Sequence, residues 1–233
     1  MSVRKAGLSP NERAERRGNR PMSVRSAGPG LAAPNPIEAG VAGGVTRCCG
    51  WRMSAEQAEK LGLVRCSIKS FPDFPKRGIL FQDINPLLKD PKAFTAVIDL
   101  FEDHLRKKFA QVELIVGLDA RGFLFGPALA QRLGIGFVPI RKKGKLPGKI
   151  VSTCYQLEYG EDQIEIQTDH VQPQQKVVII DDVLATGGTM AAACNLMKKL
   201  GADVLECLVV IEIKELKGLE KLNHVPFYSL VQF

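Results

Sequence analysis

The strongest constraint on this chain is one string, Val177-Val178-Ile179-Ile180-Asp181-Asp182-Val183-Leu184-Ala185-Thr186-Gly187-Gly188-Thr189. Its β-branched run, Val177 to Ile180, has no polar face and predicts a strand buried on both sides, as inside a parallel sheet. Asp181 and Asp182 end the strand in this reading. Small residues follow from Ala185 to Thr189. Met190, Ala193, Cys194, Met197 and Leu200 then recur at helical spacing, with Gly201 as the stop.

Strand, acidic pair, glycine loop and helix together build an anion site with a polyol site beside it. Loop glycines let backbone approach an anion closely, and the N–H groups of the helix start and the hydroxyls of Thr186 and Thr189 can point at it. Like charge keeps Asp181 and Asp182 off a phosphate. They can instead accept hydrogen bonds from vicinal hydroxyls or hold a divalent cation through water. A phosphate beside a diol describes a ribose 5-phosphate. The bland alternative is a solvated Asp-Asp turn and a plain helix cap. The length and specificity of the whole string favour the site.

The string resembles the signature of the type I phosphoribosyltransferases, which use 5-phosphoribosyl-1-pyrophosphate (PRPP). No Gly-Lys-Ser/Thr follows, so it is not a Walker A loop, and no G-x-G-x-x-G opens a helix. Other segments narrow the resemblance. Ser70-Phe71-Pro72-Asp73-Phe74-Pro75, continuing through Gly78 to Pro86, breaks every regular pattern and predicts an ordered irregular segment, either a packing arm or something more. It is similar to the adenine-binding hood of adenine phosphoribosyltransferases. There the backbone at the positions of Leu80 and Gln82 reads the base, with Phe81 nearby, and Gln82 replaces the usual arginine.

Pro91 to Phe109 predicts a helix with Phe94, Val97, Ile98, Phe101 and Leu105 on one stripe, and Ala55 to Ile68 a shorter amphipathic one. His104 lies beside the first stripe and reads as structural or solvated. Leu114 to Leu118 predicts a second buried strand, followed by Asp119-Ala120-Arg121-Gly122 and a helix from Phe123 to Leu133. A tight turn from a strand's C-terminal end into a helix is where open α/β sheets bind ligands. Within the resemblance that turn takes pyrophosphate, through Arg121 and its neighbouring amides.

A third strand, Phe137 to Ile140, runs into Arg141-Lys142-Lys143-Gly144-Lys145-Leu146-Pro147-Gly148-Lys149. Charge runs are commonly solvated loops. Here five cations beside a phosphate loop suit a pyrophosphate clamp, with Arg141, Lys142 and Lys145 as the contacts. Tyr155 to Gln167 alternates like a hairpin, which would form a flexible lid. Its Leu157-Glu158-Tyr159-Gly160 reads alone as an ordinary turn. By resemblance it is the catalytic loop, with Glu158 acting at adenine N7 and Tyr159 covering the site. Val204 to Ile213 predicts a long buried strand, and Val225 to Leu230 an edge strand containing proline.

Composition matters at the front of the chain. Met1 to Arg52 carries nine Lys/Arg against three Glu, and the rest carries 23 basic against 22 acidic groups, so about +6 of the net charge of +7 belongs to this stretch. Rich in Gly, Pro, Ala and Arg, it is expected to be a disordered basic extension ahead of a domain at residues 53–233. It reads as an upstream extension more readily than as a targeting signal, being poorly amphipathic. A near-neutral core removes most of the case for nucleic-acid binding there. No run reaches membrane-spanning length. The six cysteines lack metal-type spacing, and Cys194 and Cys207 sit in apolar patterns, which suits a reducing interior.

The resemblance covers residues 67–233. It implies an α/β fold, a mainly parallel sheet flanked by helices with a small hood and a flexible β-hairpin lid. It implies conversion of adenine and PRPP to AMP and pyrophosphate in purine salvage, in the cytoplasm, by a homodimer using Mg²⁺. The metal would come with PRPP rather than bind a direct protein site. Two other readings stay open: a phosphoribosyltransferase for orotate or hypoxanthine, and a non-catalytic PRPP sensor.

Overall fold

The computed structural model describes residues 53–156 and 161–233. The expected extension at 1–52 and the expected roles of Glu158 and Tyr159 therefore lie outside the described residues. The elements run α1 (Ala55–Cys66), β1 (Lys69–Pro72), β2 (Leu80–Asp83), α2 (Asn85–Lys89), α3 (Pro91–Lys108), β3 (Leu114–Leu118), α4 (Gly122–Leu133), β4 (Gly136–Lys142), β5 (Ile150–Gln156), β6 (Glu161–Gln167), β7 (Lys176–Leu184), α5 (Gly188–Lys199), β8 (Asp203–Glu212) and β9 (Phe227–Gln232). Seven strands form one sheet in the order β5-β6-β4-β3-β7-β8-β9. The five from β4 to β9 are parallel, and the β5–β6 hairpin adds antiparallel at the β4 edge.

Alternation along β7 explains why both faces are covered. Val178 and Ile180 join Ile115, Phe101 and Phe125 in a core beneath α1, α3 and α4. Val177 and Ile179 join Val116, Met190, Leu196 and Met197 in a second core beneath α5. Burying a Val or Ile side chain is worth roughly 1.5–3 kcal/mol, and β7 does so four times in succession, so the sheet is anchored at its centre. α1 starts on a capping box: Gln57 N–H donates to Ser54 Oγ at 3.1 Å, and Ser54 N–H to Gln57 Oε1 at 3.2 Å. α3 buries the expected stripe of Val97, Ile98, Phe101 and Leu105.

Three expectations need correction. β7 does not end at the acidic pair but pairs with β8 through Leu184: Asp181 lies opposite Val209, and Val183 opposite Ile211, while the two acids line a cleft. The segment after Ser70 is irregular only from Asp73 to Ile79: β1 and β2 on either side pair antiparallel from Lys69↔Asp83 to Pro72↔Leu80. Four-residue strands are too short for an alternation to register, and the prolines hide the turn, where Asp73 Oδ1 accepts from Gly78 N–H at 2.7 Å. Pro226 precedes β9 instead of lying in it.

His104 is structural, as the sequence suggests. Its ring stacks on Tyr228 at 3.6 Å between centroids, and its Nε2 lies 2.7 Å from Oε2 of fully buried Glu206 on β8. Lys108 Nζ holds the other Glu206 oxygen at 2.7 Å. This cluster fastens α3 to β8 and β9 towards the start of those strands, away from the cleft described next. Cys194 and Cys207 are both buried, with sulfur atoms 3.5 Å apart.

Candidate functional site

The strand order reverses at the centre of the sheet. From β3 the chain passes through α4, on one face, to β4; from β7 it passes through α5, on the other face, to β8. The C-terminal ends of β3 and β7 therefore splay apart and leave a crevice, the position at which open α/β sheets take ligands. A cavity of about 290 Å³ lies there, lined by Asp119, Ala120, Arg121, Lys142, Tyr155, Asp181, Asp182, Val183 to Thr189, and Met190.

The turn after β7 follows from its residues. Gly187 adopts φ 77°, closed to most side chains, and caps α5 so that the Gly188 and Thr189 amides open the helix. Free amides and the positive helix end make this turn an anion cradle. On the β3 side the cavity is equally tight. A Cβ on Gly122 would stand 2.5 Å from the backbone oxygen of Ile180, so only glycine lets α4 begin against β7 and deliver Arg121 to the crevice.

Arg121 Nε meets Asp182 Oδ2 at 2.8 Å. Burial pushes the carboxyl of Asp181 well above the usual carboxylate range, and the Asp182 charge adds to it. Asp182 is also raised by burial, against the opposing pull of Arg121. Two acids held together at a cost are a mark of functional sites.

The family of phosphoribosyl transferase domains matches residues 83–228. Two curated adenine phosphoribosyltransferases, from Dipodillus campestris and Rattus norvegicus, are each 58% identical over 175 residues, covering 75% of this chain and 97% of theirs. A crystal structure of adenine phosphoribosyltransferase from Saccharomyces cerevisiae, complexed with adenine and an imino-altritol bisphosphate, superposes with a TM-score of 0.73 at 44% identity. The match covers 75% of this chain and 99% of that one.

The chain belongs to the adenine phosphoribosyltransferase family.

Of the residues that the sequence singles out, Arg121, Lys142, Asp181, Asp182, Ala185, Thr186, Gly187, Gly188 and Thr189 line this cavity. Arg141 does not. Next to Lys142 on β4 it takes the alternate face, reaching Asp119 Oδ2 at 3.1 Å and lying over the Phe123 ring. Lys145 is also absent from the lining. Leu80, Phe81 and Gln82 belong to the β1–β2 hood: Leu80 is exposed, Phe81 packs edge-on against Phe74, and the Gln82 amide oxygen accepts from Ser70 Oγ at 2.7 Å. The Gln82 side chain thus ties the hood's two strands together.

Several residues of the site are not signalled by the sequence. Tyr155, read only as part of a hairpin, lines the cavity. Its hydroxyl donates to Asp162 Oδ2 at 3.2 Å and lies within hydrogen-bonding reach of Thr189. Asp162 pairs with Lys142 Nζ at 3.0 Å, which raises the lysine and lowers the acid. Register β5↔β6 sets Tyr155 opposite Asp162, and no spacing rule in the sequence exposes that.

Glu165 was missed as well. Although 1% exposed, its Oε1 accepts from Lys145 N–H at 2.8 Å and Leu146 N–H at 2.9 Å, pinning the basic loop by its backbone. Burial alone would raise this carboxyl, but the amides of Gly144, Leu146 and Lys145 together outweigh burial and leave it lowered. A depressed acid contributes stability that is present above its unfolded pKa and disappears as pH falls through the folded one. Glu165→Gln is expected to loosen the loop, raising KM for PRPP about fivefold, and to flatten the acid limb of a melting-temperature profile. Saturation kinetics and melting curves from pH 3 to 7 check both.

Proposed function

We propose that this chain transfers the 5-phosphoribosyl group of PRPP to N9 of adenine, releasing pyrophosphate and forming AMP in purine salvage. The observation that carries this reading is the single crevice in which an anion cradle (Ala185 to Thr189), an acid pair (Asp181, Asp182) and two cations (Arg121, Lys142) meet. The 58% identity to adenine phosphoribosyltransferases supplies the base.

The residues divide the substrate among them. The cradle holds the 5-phosphate, and Asp181 and Asp182 accept from the ribose hydroxyls. Arg121 and Lys142 take the pyrophosphate, with Arg141 and Lys145 on the same strand and loop reinforcing the positive field. As C1 separates from pyrophosphate it gains oxocarbenium character, so fixed cations at the leaving group and exclusion of water are what the site must provide. Leu80 and Gln82 offer backbone groups to adenine, with Phe81 as an apolar neighbour. Glu158 manages the proton at N7 and Tyr159 covers the site, both on the strength of the L-E-Y-G resemblance.

Mg²⁺ suits this donor set. Burial raises both carboxyls, and the Asp182 charge adds to it at Asp181; a nearby cation would relieve that cost, and two carboxylates would fit a metal that arrives on the pyrophosphate and meets them through water. Bound so, the ion neutralises leaving-group charge. A homodimer is supported by Leu124, 43% exposed on α4 beside Arg121, an apolar contact through which a second copy would complete the site's border. No helix among the described residues is long and apolar enough to cross a membrane, and a cytoplasmic enzyme accords with the thiols. Residues 53–233 form the catalytic domain, and the basic extension is dispensable for turnover.

The test is steady-state turnover of adenine, hypoxanthine, guanine and orotate with PRPP and Mg²⁺, using protein starting at Met53. Selective AMP formation is expected. Turnover of another base instead would replace adenine as substrate. PRPP binding with no turnover of any base would make the protein a sensor.

A further inference from the structure

The connection between β8 and β9 presses on the back of the phosphate cradle. It consists of two short 3₁₀ turns, Lys214–Leu216 and Gly218–Leu222. Where it crosses the cradle the two backbones touch through glycines on both sides. A Cβ on Gly218 would collide with the carbonyl oxygen of Ala185 and stand 2.9 Å from the Gly187 nitrogen; a Cβ on Gly187 would in turn strike the Gly218 carbonyl. No side chain fits between them, so the shape of the cradle is set by the position of Gly218.

This strap is held firmly enough to act as a support. At one end Ile213 N–H donates to Leu184 O and Lys214 N–H to Phe233 O, each at 2.9 Å. At the other, Leu222 is 2% exposed and packs into the core beneath α5 that includes Met190, the residue following the cradle. Between and beyond these anchors Lys217, Asn223 and His224 take φ values of 51°, 48° and 69°. Three non-glycine residues in the left-handed region within one short connection persist only where their surroundings over-determine the backbone.

We propose that Gly218 is a positioning residue for phosphoribosyl binding: through its backbone it fixes the Ala185 to Gly187 turn in the form that takes the 5-phosphate. It touches no reacting atom and acts through the cradle. The inference rests on reading Ala185 to Thr189 as the 5-phosphate site, so wild-type turnover with adenine is measured alongside.

The test is Gly218→Ala in the full chain. The methyl group displaces the cradle, and KM for PRPP rises about tenfold, while kcat and KM for adenine stay within about twofold. A strap with a purely structural role would lower melting temperature and both substrates' parameters together, and that result overturns the proposal. So does a PRPP KM equal to wild type. Leu222→Val keeps the contact free of any added atom and draws back the buried anchor by one methylene; it serves where Gly218→Ala does not fold. It is expected to raise KM for PRPP about threefold with adenine unmoved, and an unmoved PRPP KM again overturns the idea. A wild-type enzyme without turnover overturns the functional reading, and this inference with it.

Discussion

Asp181→Asn is expected to lower kcat/KM for PRPP by about 100-fold, a loss of about 2.7 kcal/mol in the transition state, and yet to raise the melting temperature at neutral pH. The first effect follows from chemistry. Asparagine keeps the shape of the side chain but loses the charge and one acceptor, and a charge-assisted hydrogen bond is worth about 1.5–3 kcal/mol. The second follows from burial and the neighbouring Asp182 charge, which hold the Asp181 carboxyl above its ordinary range. An acid whose folded pKa exceeds its unfolded one stabilises the fold most below the unfolded value. Its contribution declines as pH rises between the two. Each unit of displacement is worth about 1.4 kcal/mol at neutral pH, and the amide removes that burden. The gain in melting temperature should vanish in acid, where aspartate is already neutral. Melting curves at pH 4 and pH 7.5, beside saturation kinetics, check this. A variant less stable than wild type at pH 7.5 would show that the pair is not a stored cost.

The second large effect is expected at Gly122. Alanine there places a methyl carbon 2.5 Å from the Ile180 carbonyl oxygen, on the interior strand β7, where nothing is free to swing aside. Overpacking of this kind costs about 3 kcal/mol, or roughly 10 °C for a domain of this size. Arg121 immediately precedes the collision. Since a misplacement of about 1 Å can cost 10²-fold in rate, turnover should fall by about that factor in molecules that remain folded. Gly62, on the exposed face of α1 with nothing within 4 Å of an added Cβ, provides the contrast. Gly62→Ala should be neutral or stabilising by up to about 1 kcal/mol, as helix propensity dictates. If the two variants melt alike, close approach at Gly122 is not what seats α4.

Most of the parallel sheet was legible because its strands are buried on both faces and carry unbroken apolar runs: Leu114 to Leu118, Val177 to Ile180, Cys207 to Ile211. The site was legible where one contiguous string carried it, from Asp181 to Thr189, and where a strand ran visibly into a turn, at Arg121. It was hidden where function depends on register or on long-range approach. Tyr155 reaches the cavity because it lies opposite Asp162 in a hairpin. Glu165 reads as one more alternating residue until its carboxylate is seen holding Lys145 and Leu146. Arg141 was grouped with Lys142 by adjacency, yet strand alternation sends neighbours to opposite faces. The hood escaped as a hairpin because four-residue strands bounded by proline give no period to count.

The order of strands also governs when the crevice can exist. β3 lies at the centre of the sheet, and one of its two neighbours, β7, joins it through pairs such as Leu114↔Val177 that are far apart along the chain. During synthesis from the N-terminus, β3 and β4 emerge well before β7, with one long apolar edge still unpaired. Both walls of the ligand crevice meet only along that late seam. The supporting connection through Gly218 emerges later again. A nascent chain therefore passes most of its synthesis unable to engage a ribose phosphate, and a ligand can begin to stabilise it only when the final segment is in place.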